Sequence, residues 1–175
     1  MKIDVEYLQF LWPTRHFLIT CGDIESKPNI VAVSFCMPVS KEPPLMVCAI
    51  GRGAYSRKLI ESTQEFIVNV PPKELKSKIY YCGFHSGYQV DKFKETGLTP
   101  KPAHKLRTPI IEECVAHMEC KVKQEIETGD KILFVGEVIE AYAYEAIVKG
   151  DSKIKIEYTI GDFPRKVYAT RFKSS

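Results

Sequence analysis

The stretch that decides the architecture runs from Pro28 to Val70: P-N-I-V-A-V-S-F-C-M-P-V-S-K-E-P-P-L-M-V-C-A-I-G-R-G-A-Y-S-R-K-L-I-E-S-T-Q-E-F-I-V-N-V. Ile30 to Cys36 and Leu45 to Ile50 are apolar, β-branched runs of strand length. Between them Pro38 and Pro43-Pro44 predict a loop, because proline brings no N–H to a sheet ladder. Gly51-Arg52-Gly53 breaks the sheet again. Ala54 to Thr63 then reads as a helix with Leu59 and Ile60 facing inward, and Phe66 to Val70 as a strand ended by Pro71-Pro72.

Outward from this centre the chain stays mainly β. Phe17 to Cys21 is a strand, followed by turn residues from Gly22 to Pro28. Lys73 to Phe84 and Tyr88 to Thr96 predict helices, the second stopped by Gly97. Leu98 to Pro109 holds Pro100, Pro102 and Pro109 and predicts an extended surface loop. Cys114 to Ile126 alternates, with Cys114, Ala116, Met118, Cys120 and Val122 on one side and Val115, His117, Glu119, Lys121 and Lys123 on the other. That pattern predicts a long half-buried strand with His117 on its outer face. Glu127 to Asp130 makes a turn, and Ile132 to Tyr144 returns. Lys153 to Ile160 alternates again, and Val167 to Thr170 reads as a last short strand. With no repeat, low-complexity segment or linker, the expectation is one domain over residues 1–175, a closed antiparallel barrel with inserted helices.

A chain of 175 residues has room for a sizeable core, and 45% hydrophobic with 27% charged residues is ordinary for a globular protein. The net charge of +3 is small and spread out, with no Lys/Arg block, which argues against nucleic acid as a partner. Asp4, Glu6 and Gln9 interrupt the N-terminal apolar residues, so no signal peptide is read there. No apolar run approaches the roughly 20 residues a membrane span needs. The expectation is a soluble cytoplasmic protein without a membrane partner.

The six cysteines include no C-x-x-C pair. Cys114 and Cys120 share a face of one predicted strand, but at about 3.3 Å per residue they lie roughly 20 Å apart, beyond disulfide reach. Cys82 and His85 form half of a metal site without a second half. The thiols are therefore read as small buried hydrophobes rather than disulfides or ligands, with one reactive cysteine left open. His16, His85, His104 and His117 have no Ser or Asp at a spacing that marks a nucleophilic triad, and no catalytic acid or base is assigned.

Two segments carry ligand chemistry. At Gly51 to Leu59 two glycines let backbone N–H groups approach a ligand, the helix start offers unpaired donors, and Arg52, Ser56, Arg57 and Lys58 add charge and a hydroxyl. Such a set suits a terminal phosphate, although a solvated basic helix start has the same composition. At Asn29 to Ser40, Asn29 and Ser34 bracket an apolar strand, and the Met37 to Ser40 segment frees backbone groups. A planar heterocycle needs such an apolar wall with polar groups at its edge. A strand serine is otherwise an ordinary core hydroxyl.

In combination these segments resemble a known family. Pro13-Thr14-Arg15 ahead of Phe17 to Thr20, the run Asn29-x4-Ser34-Phe35-x-Met37-Pro38-Val39-Ser40-x2-Pro43-Pro44-Leu45, Ser56-Arg57-Lys58-Leu59, and Glu65 to Val70 are similar to the flavin reductase-like, flavoredoxin-like family of FMN-binding proteins. Ser86-Gly87, Asp91-Lys92-Phe93, Gly97-Leu98, Glu113-Cys114, Glu119-Cys120 and Gly129-Asp130 with Phe134 to Val138 extend the resemblance over roughly residues 8 to 145.

The resemblance implies a mainly β fold, an antiparallel FMN-binding split β-barrel of Greek-key type with inserted helices. It implies FMN contacts at Asn29, Ser34, Met37 and Ser40 for the ring and ribityl chain, and at Arg52, Ser56 and Lys58 for the phosphate. Lys92 and Phe93 would close the site in trans from the second subunit of a homodimer. NADH or NADPH would supply a hydride, passed on to free flavin, ferric complexes or a protein acceptor. The alternative is an FMN electron carrier reduced by a protein partner. Many reductases of the family place His after the Gly-Asp of the hairpin turn, where this chain has Lys131. Pro43-Pro44 and Asp91-Lys92-Phe93 set the chain apart from the pyridoxamine phosphate oxidase relatives.

Overall fold

The computed structural model describes residue 11 and residues 14–145. The strands expected at Lys153 to Ile160 and Val167 to Thr170 lie outside the described residues. In chain order the elements are β1 (Phe17–Cys21), β2 (Asn29–Val33), β3 (Cys36–Lys41), β4 (Pro44–Gly51), α1 (Tyr55–Thr63) and β5 (Glu65–Val70). A single 3-10 turn (Lys73–Leu75) then leads to α2 (Lys76–Phe84), α3 (Lys92–Thr96), β6 (Pro100–Lys101), β7 (Ile110–Ile111), β8 (Ala116–Glu127) and β9 (Lys131–Ala143).

Seven strands form one antiparallel sheet in the order β2-β1-β5-β8-β9-β4-β3. The chain jumps from β4, which neighbours β9, to β5, which neighbours β1, so successive strands are not simply laid side by side. The sheet coils around an apolar interior of Ile19, Val68, Cys48, Ile50, Phe66 and Phe134, drawn from strands on both sides of it. Burying each such side chain contributes about 1.5–3 kcal/mol. The ladder is not closed, since β2 and β3 are its two ends. The barrel is therefore split rather than closed.

Gly136 shows how tight the interior is. A Cβ there would sit 2.7 Å from the Phe66 ring and 2.9 Å from Cys120 Cβ, so the hairpin strand needs a residue without a side chain where Phe66 crosses it.

The inserted helices cover one outer face. Leu18 and Ile30 point away from the barrel interior into a second apolar cluster with Ile79, Cys82, Phe93 and Ile111. This explains why β1 is buried at all five positions. α1 ends at Gln64, whose left-handed backbone (φ 56°) lets its N–H close on the Ile60 carbonyl at 2.7 Å.

The structure corrects four expectations. Pro38, read as a loop residue, lies in β3, because β3 is a sheet edge and a bulge between Pro38 and Ser40 absorbs the missing N–H. The helix expected over Tyr88 to Thr96 is confined to Lys92–Thr96, where the Asp91 carboxylate caps it by accepting from the Lys94 N–H at 3.2 Å. The Leu98 to Pro109 segment is not wholly a surface loop: Leu106 and Thr108 are buried, and Pro100–Lys101 pairs with Ile110–Ile111.

The fourth correction concerns β8, whose supposed outer face is buried at His117 and Glu119. The alternation of β8 holds, with Met118, Cys120 and Val122 on the barrel core, but the proline segment packs over the opposite face and buries it. Glu119 accepts hydrogen bonds from the N–H groups of His104 (2.7 Å), Lys105 (2.9 Å) and Leu106 (3.0 Å) and from Tyr142 Oη (3.0 Å). His117 Nδ1 donates to Asn69 Oδ1 at 2.8 Å, and burial pushes the His117 imidazole down to about 4. Asn69 in turn donates to the Leu18 carbonyl at 2.9 Å. Polar groups thus pin the proline segment to the barrel, with all of Glu119's bonds satisfied and the buried Thr108 Oγ1 left without a partner.

Candidate functional site

The site is built around β2, which delivers Asn29 at one end and runs into Ser34 at the other. Asn29 is buried and its Nδ2 donates to Ser56 Oγ at 2.8 Å. Ser56 stands in the first turn of α1, whose N-cap Ala54 has no side chain to bond the exposed N–H groups and whose first turn has no acidic residue. The third member is Lys92, the first residue of α3 and only 4% exposed. Its Nζ donates to the Cys82 carbonyl at 2.7 Å, and among the described residues no carboxylate pairs with it. Burial lowers its basicity, with Cys82 and Cys21 acting weakly the other way.

Asn29, Ser56 and Lys92 line one cavity of about 230 Å³. The Ser86-Gly87 turn closes one side of it. A Cβ on Gly87 would sit 2.6 Å from Asn29 Oδ1 and 2.7 Å from Tyr55 Cδ1, so glycine is required for this approach. Tyr55 of the cavity wall packs on Tyr88 at 4.9 Å, and Lys58 Nζ stands 5.2 Å over the Tyr88 ring. Burial pushes the neighbouring thiols up, Cys21 to about 12 and Cys82 to about 11, so both are neutral hydrophobes at neutral pH.

The polar cavity continues along β2. Val31 and Gly83 also line a second hollow of about 280 Å³, which reaches Ser34, Phe35 and Lys131. Those three residues belong in turn to a third hollow of about 550 Å³, walled by Met37, Val47, Ala49 and Leu133 and reached by Arg15. Shared walls make the three a trough, with a buried ammonium and a hydroxyl at one end and an apolar surface at the other. Lys131 stands between the second and third hollows, its Nζ 3.1 Å from Asp130 Oδ2, and that contact holds the Asp130 carboxyl below the usual range.

Five of the eight residues singled out from the sequence line this trough: Asn29, Ser56 and Lys92 at the polar end, Ser34 and Met37 at the apolar end. Ser40, Arg52 and Lys58 do not line these hollows. Arg52 is committed elsewhere, its guanidinium donating to the Thr128 carbonyl at 2.7 Å and to Glu127 Oε2 at 3.0 Å, which ties the start of α1 to the β8–β9 turn. Ser40 sits beside the bulge in β3, opposite Leu45. Within one chain, Lys92 already lines the polar cavity. Phe93 is packed into the cluster under α2, and that packing turns Lys92 into its own chain's cavity.

Sequence reasoning missed Tyr55, Gly83 and Gly87 as parts of the site. Ser86-Gly87 was the available signal. Its meaning depended on which chain segment passes close by. Among the described residues no three His, Cys, Asp or Glu side chains gather to hold a metal, and no helix is long and apolar enough to cross a membrane.

A flavin mononucleotide fits the donor set. The buried ammonium without a carboxylate and the first-turn hydroxyl suit a phosphate, the Gly87 turn leaves room against Asn29, and the apolar end suits a ring.

Comparison with known proteins points to a flavin-binding family. The model of the family "flavin reductase like domain" matches residues 11–155. An uncharacterized protein of Archaeoglobus fulgidus is 36% identical over 156 residues, covering 89% of this chain and 87% of that protein. An NADH-dependent FAD reductase of Streptomyces globisporus is 28% identical over 136 residues, covering 77% of this chain and 72% of the reductase. The flavoredoxin of Desulfovibrio vulgaris (Miyazaki F) superimposes with a TM-score of 0.77 at 27% identity, covering 86% of this chain and 81% of that one. The chain belongs to the flavin reductase-like family, with the split-barrel fold of its flavin-binding members.

Proposed function

We propose that this member of the family binds FMN and acts as an NADH- or NADPH-dependent reductase, delivering electrons to free flavin, a ferric complex or a protein acceptor. The observation that carries the reading is Lys92, a cation withdrawn from water beside Ser56 and an uncapped helix start, at the closed end of a trough whose other end is apolar. A buried ammonium costs free energy unless an anion or several acceptors compensate it, and the protein supplies one carbonyl.

Flavin, when bound, supplies the centre that accepts a hydride and releases electrons. The chain's own residues do the rest. Lys92 and Ser56 bind phosphate, with the first-turn N–H groups of α1 adding donors. Asn29, held by Ser56, offers its Oδ1 toward the Gly87 turn, and Ser34 marks the polar edge of the apolar end. Phe35, Met37, Val47 and Leu133 exclude water from one side of a ring. Lys131 places a positive charge between the two wider hollows, where it favours negative charge on a reduced ring. No side chain is needed as acid or base for hydride transfer itself. The protein is proposed to work as a cytoplasmic homodimer.

Lys131 also favours a second reading, an FMN electron carrier that a protein partner reduces. A lysine ammonium is a point charge on a flexible stem and lacks the acceptor nitrogen that an imidazole offers. A visible spectrum of the purified protein, repeated anaerobically with NADH and then NADPH, separates the two. Prompt bleaching of bound flavin by either nucleotide supports the reductase and names its donor. Flavin that stays oxidised supports the carrier. Failure to take up FMN at all refutes both.

A further inference from the structure

Cys36 and Cys48 are 12 residues apart in the chain, and the β3–β4 register sets them directly opposite each other. One step along the ladder the Ala49 N–H donates to the Phe35 carbonyl at 2.9 Å, so the Cys36–Cys48 pair is of the non-hydrogen-bonded kind. At such a pair the Cα atoms come to about 4.5 Å, within the roughly 4.4–6.8 Å that a disulfide spans. The side chains have followed the backbone, and the two sulfurs are 2.8 Å apart.

The two thiols differ in access. Cys36 lines the apolar hollow, whereas Cys48 is fully buried beneath it with Cys36 and Cys120 as sulfur neighbours. Burial, and then those sulfurs, push the Cys48 thiol up, which leaves Cys36 as the group an incoming reagent meets. Cys120 is not opposite either of them: its ladder partners are Phe66 and Val138.

We propose that Cys36 and Cys48 form a peroxide-sensitive dithiol that closes reversibly to a disulfide between β3 and β4. Hydrogen peroxide is the oxidant. The Cys36 thiolate attacks one peroxide oxygen, the O–O bond breaks, and the departing hydroxide takes a proton to become water, leaving Cys36 as a sulfenic acid. The Cys48 sulfur then attacks the Cys36 sulfur. The S–S bond forms, the S–O bond breaks, and the hydroxyl leaves with the Cys48 proton as a second water. Two thiols thus lose two electrons and two protons while one peroxide becomes two waters. A dithiol such as dithiothreitol restores both thiols by exchange. The bond would fasten an edge strand that carries Met37 to the strand that carries Val47 and Ala49, all on the wall of the apolar hollow. Nothing in this step requires a bound flavin, so it stands or falls apart from the function proposed above.

The test treats the purified full chain with a few equivalents of hydrogen peroxide, then denatures, alkylates and digests it. The expected result is an intact mass lower by about 2 Da, two fewer alkylatable thiols, and a Cys36 peptide joined to a Cys48 peptide, all reversed by dithiothreitol. A Cys48→Ser variant should hold Cys36 as a sulfenic acid that dimedone labels. All six thiols remaining alkylatable after peroxide, a link between any other pair, or Cys36 passing to sulfinic acid with Cys48 still free would each overturn the proposal. The wild-type peptide map decides the matter even if the Cys48 variant does not fold.

Discussion

Glu119 and Lys92 are both charged side chains almost wholly removed from water, at 0% and 4% exposure, and the fold treats them in opposite ways. Glu119 receives three backbone N–H groups and a tyrosine hydroxyl, which fill its oxygens and fasten the proline segment to the barrel. Lys92 receives one carbonyl, and the rest of its ammonium faces a cavity. A buried charge whose partners are all supplied by the chain is part of the scaffold. One whose partners are incomplete beside a cavity is a candidate for holding a ligand.

The strongest way to break that division is at Glu119. Replacing it by Ala orphans several buried donors at once, and we expect a loss of roughly 3–5 kcal/mol in urea unfolding. Flavin affinity of the folded fraction should be unchanged. An affinity loss as large as the one expected at Lys92 would mean that the scaffold and the site are one network.

His117, in the same scaffold, predicts a pH dependence. The unfolded chain takes up a proton near pH 6.5, whereas the folded imidazole resists until about 4. Between those values the unfolded state binds more protons, so this contribution to stability is complete above about pH 6.5 and falls as the pH drops toward 4. Relative to a His117→Gln variant, the wild type should lose about 2–3 kcal/mol between pH 7 and 4.5. Urea midpoints of the two proteins at both pH values measure it, and a constant gap would contradict the burial argument.

At the other charge the readout reverses. Lys92→Met should weaken FMN binding on the order of 100-fold, about 2–3 kcal/mol, when followed by flavin fluorescence quenching. Its thermal midpoint should hold or rise, since an incompletely compensated buried charge is removed. A lower midpoint with intact affinity would make Lys92 a second scaffold charge. The smallest expected effect is at Gly87. Gly87→Ala drives a Cβ against Asn29 Oδ1, displaces Asn29 from Ser56, and should cost roughly tenfold in affinity, about 1.4 kcal/mol.

The same contrast shows what was legible before the fold was known. Ser56 stood out because the helix start after Gly53 is a local pattern with a chemical purpose, and Lys92 only because Asp91-Lys92-Phe93 resembles a family motif. Glu119 and His117 did not, because alternation along one strand assigns them to an outer face and cannot foresee a proline segment 14 residues away in sequence covering it. Arg52 was legible as a cation near a helix start, but its true partners, Glu127 and Thr128, come from a turn 75 and 76 residues on.

By itself the sequence determined β1, β4, β5, the helix at Tyr55–Thr63 and the long β8–β9 hairpin, because apolar periodicity, proline and glycine act over a few residues at a time, and its motifs carried the family resemblance. Tertiary structure alone decided which buried polar groups find partners, that Lys92 shares a cavity with Asn29 and Ser56, and that Cys36 faces Cys48. Those outcomes depend on strand register and on segments distant in sequence packing together, and spacing along the chain does not encode the distances they create.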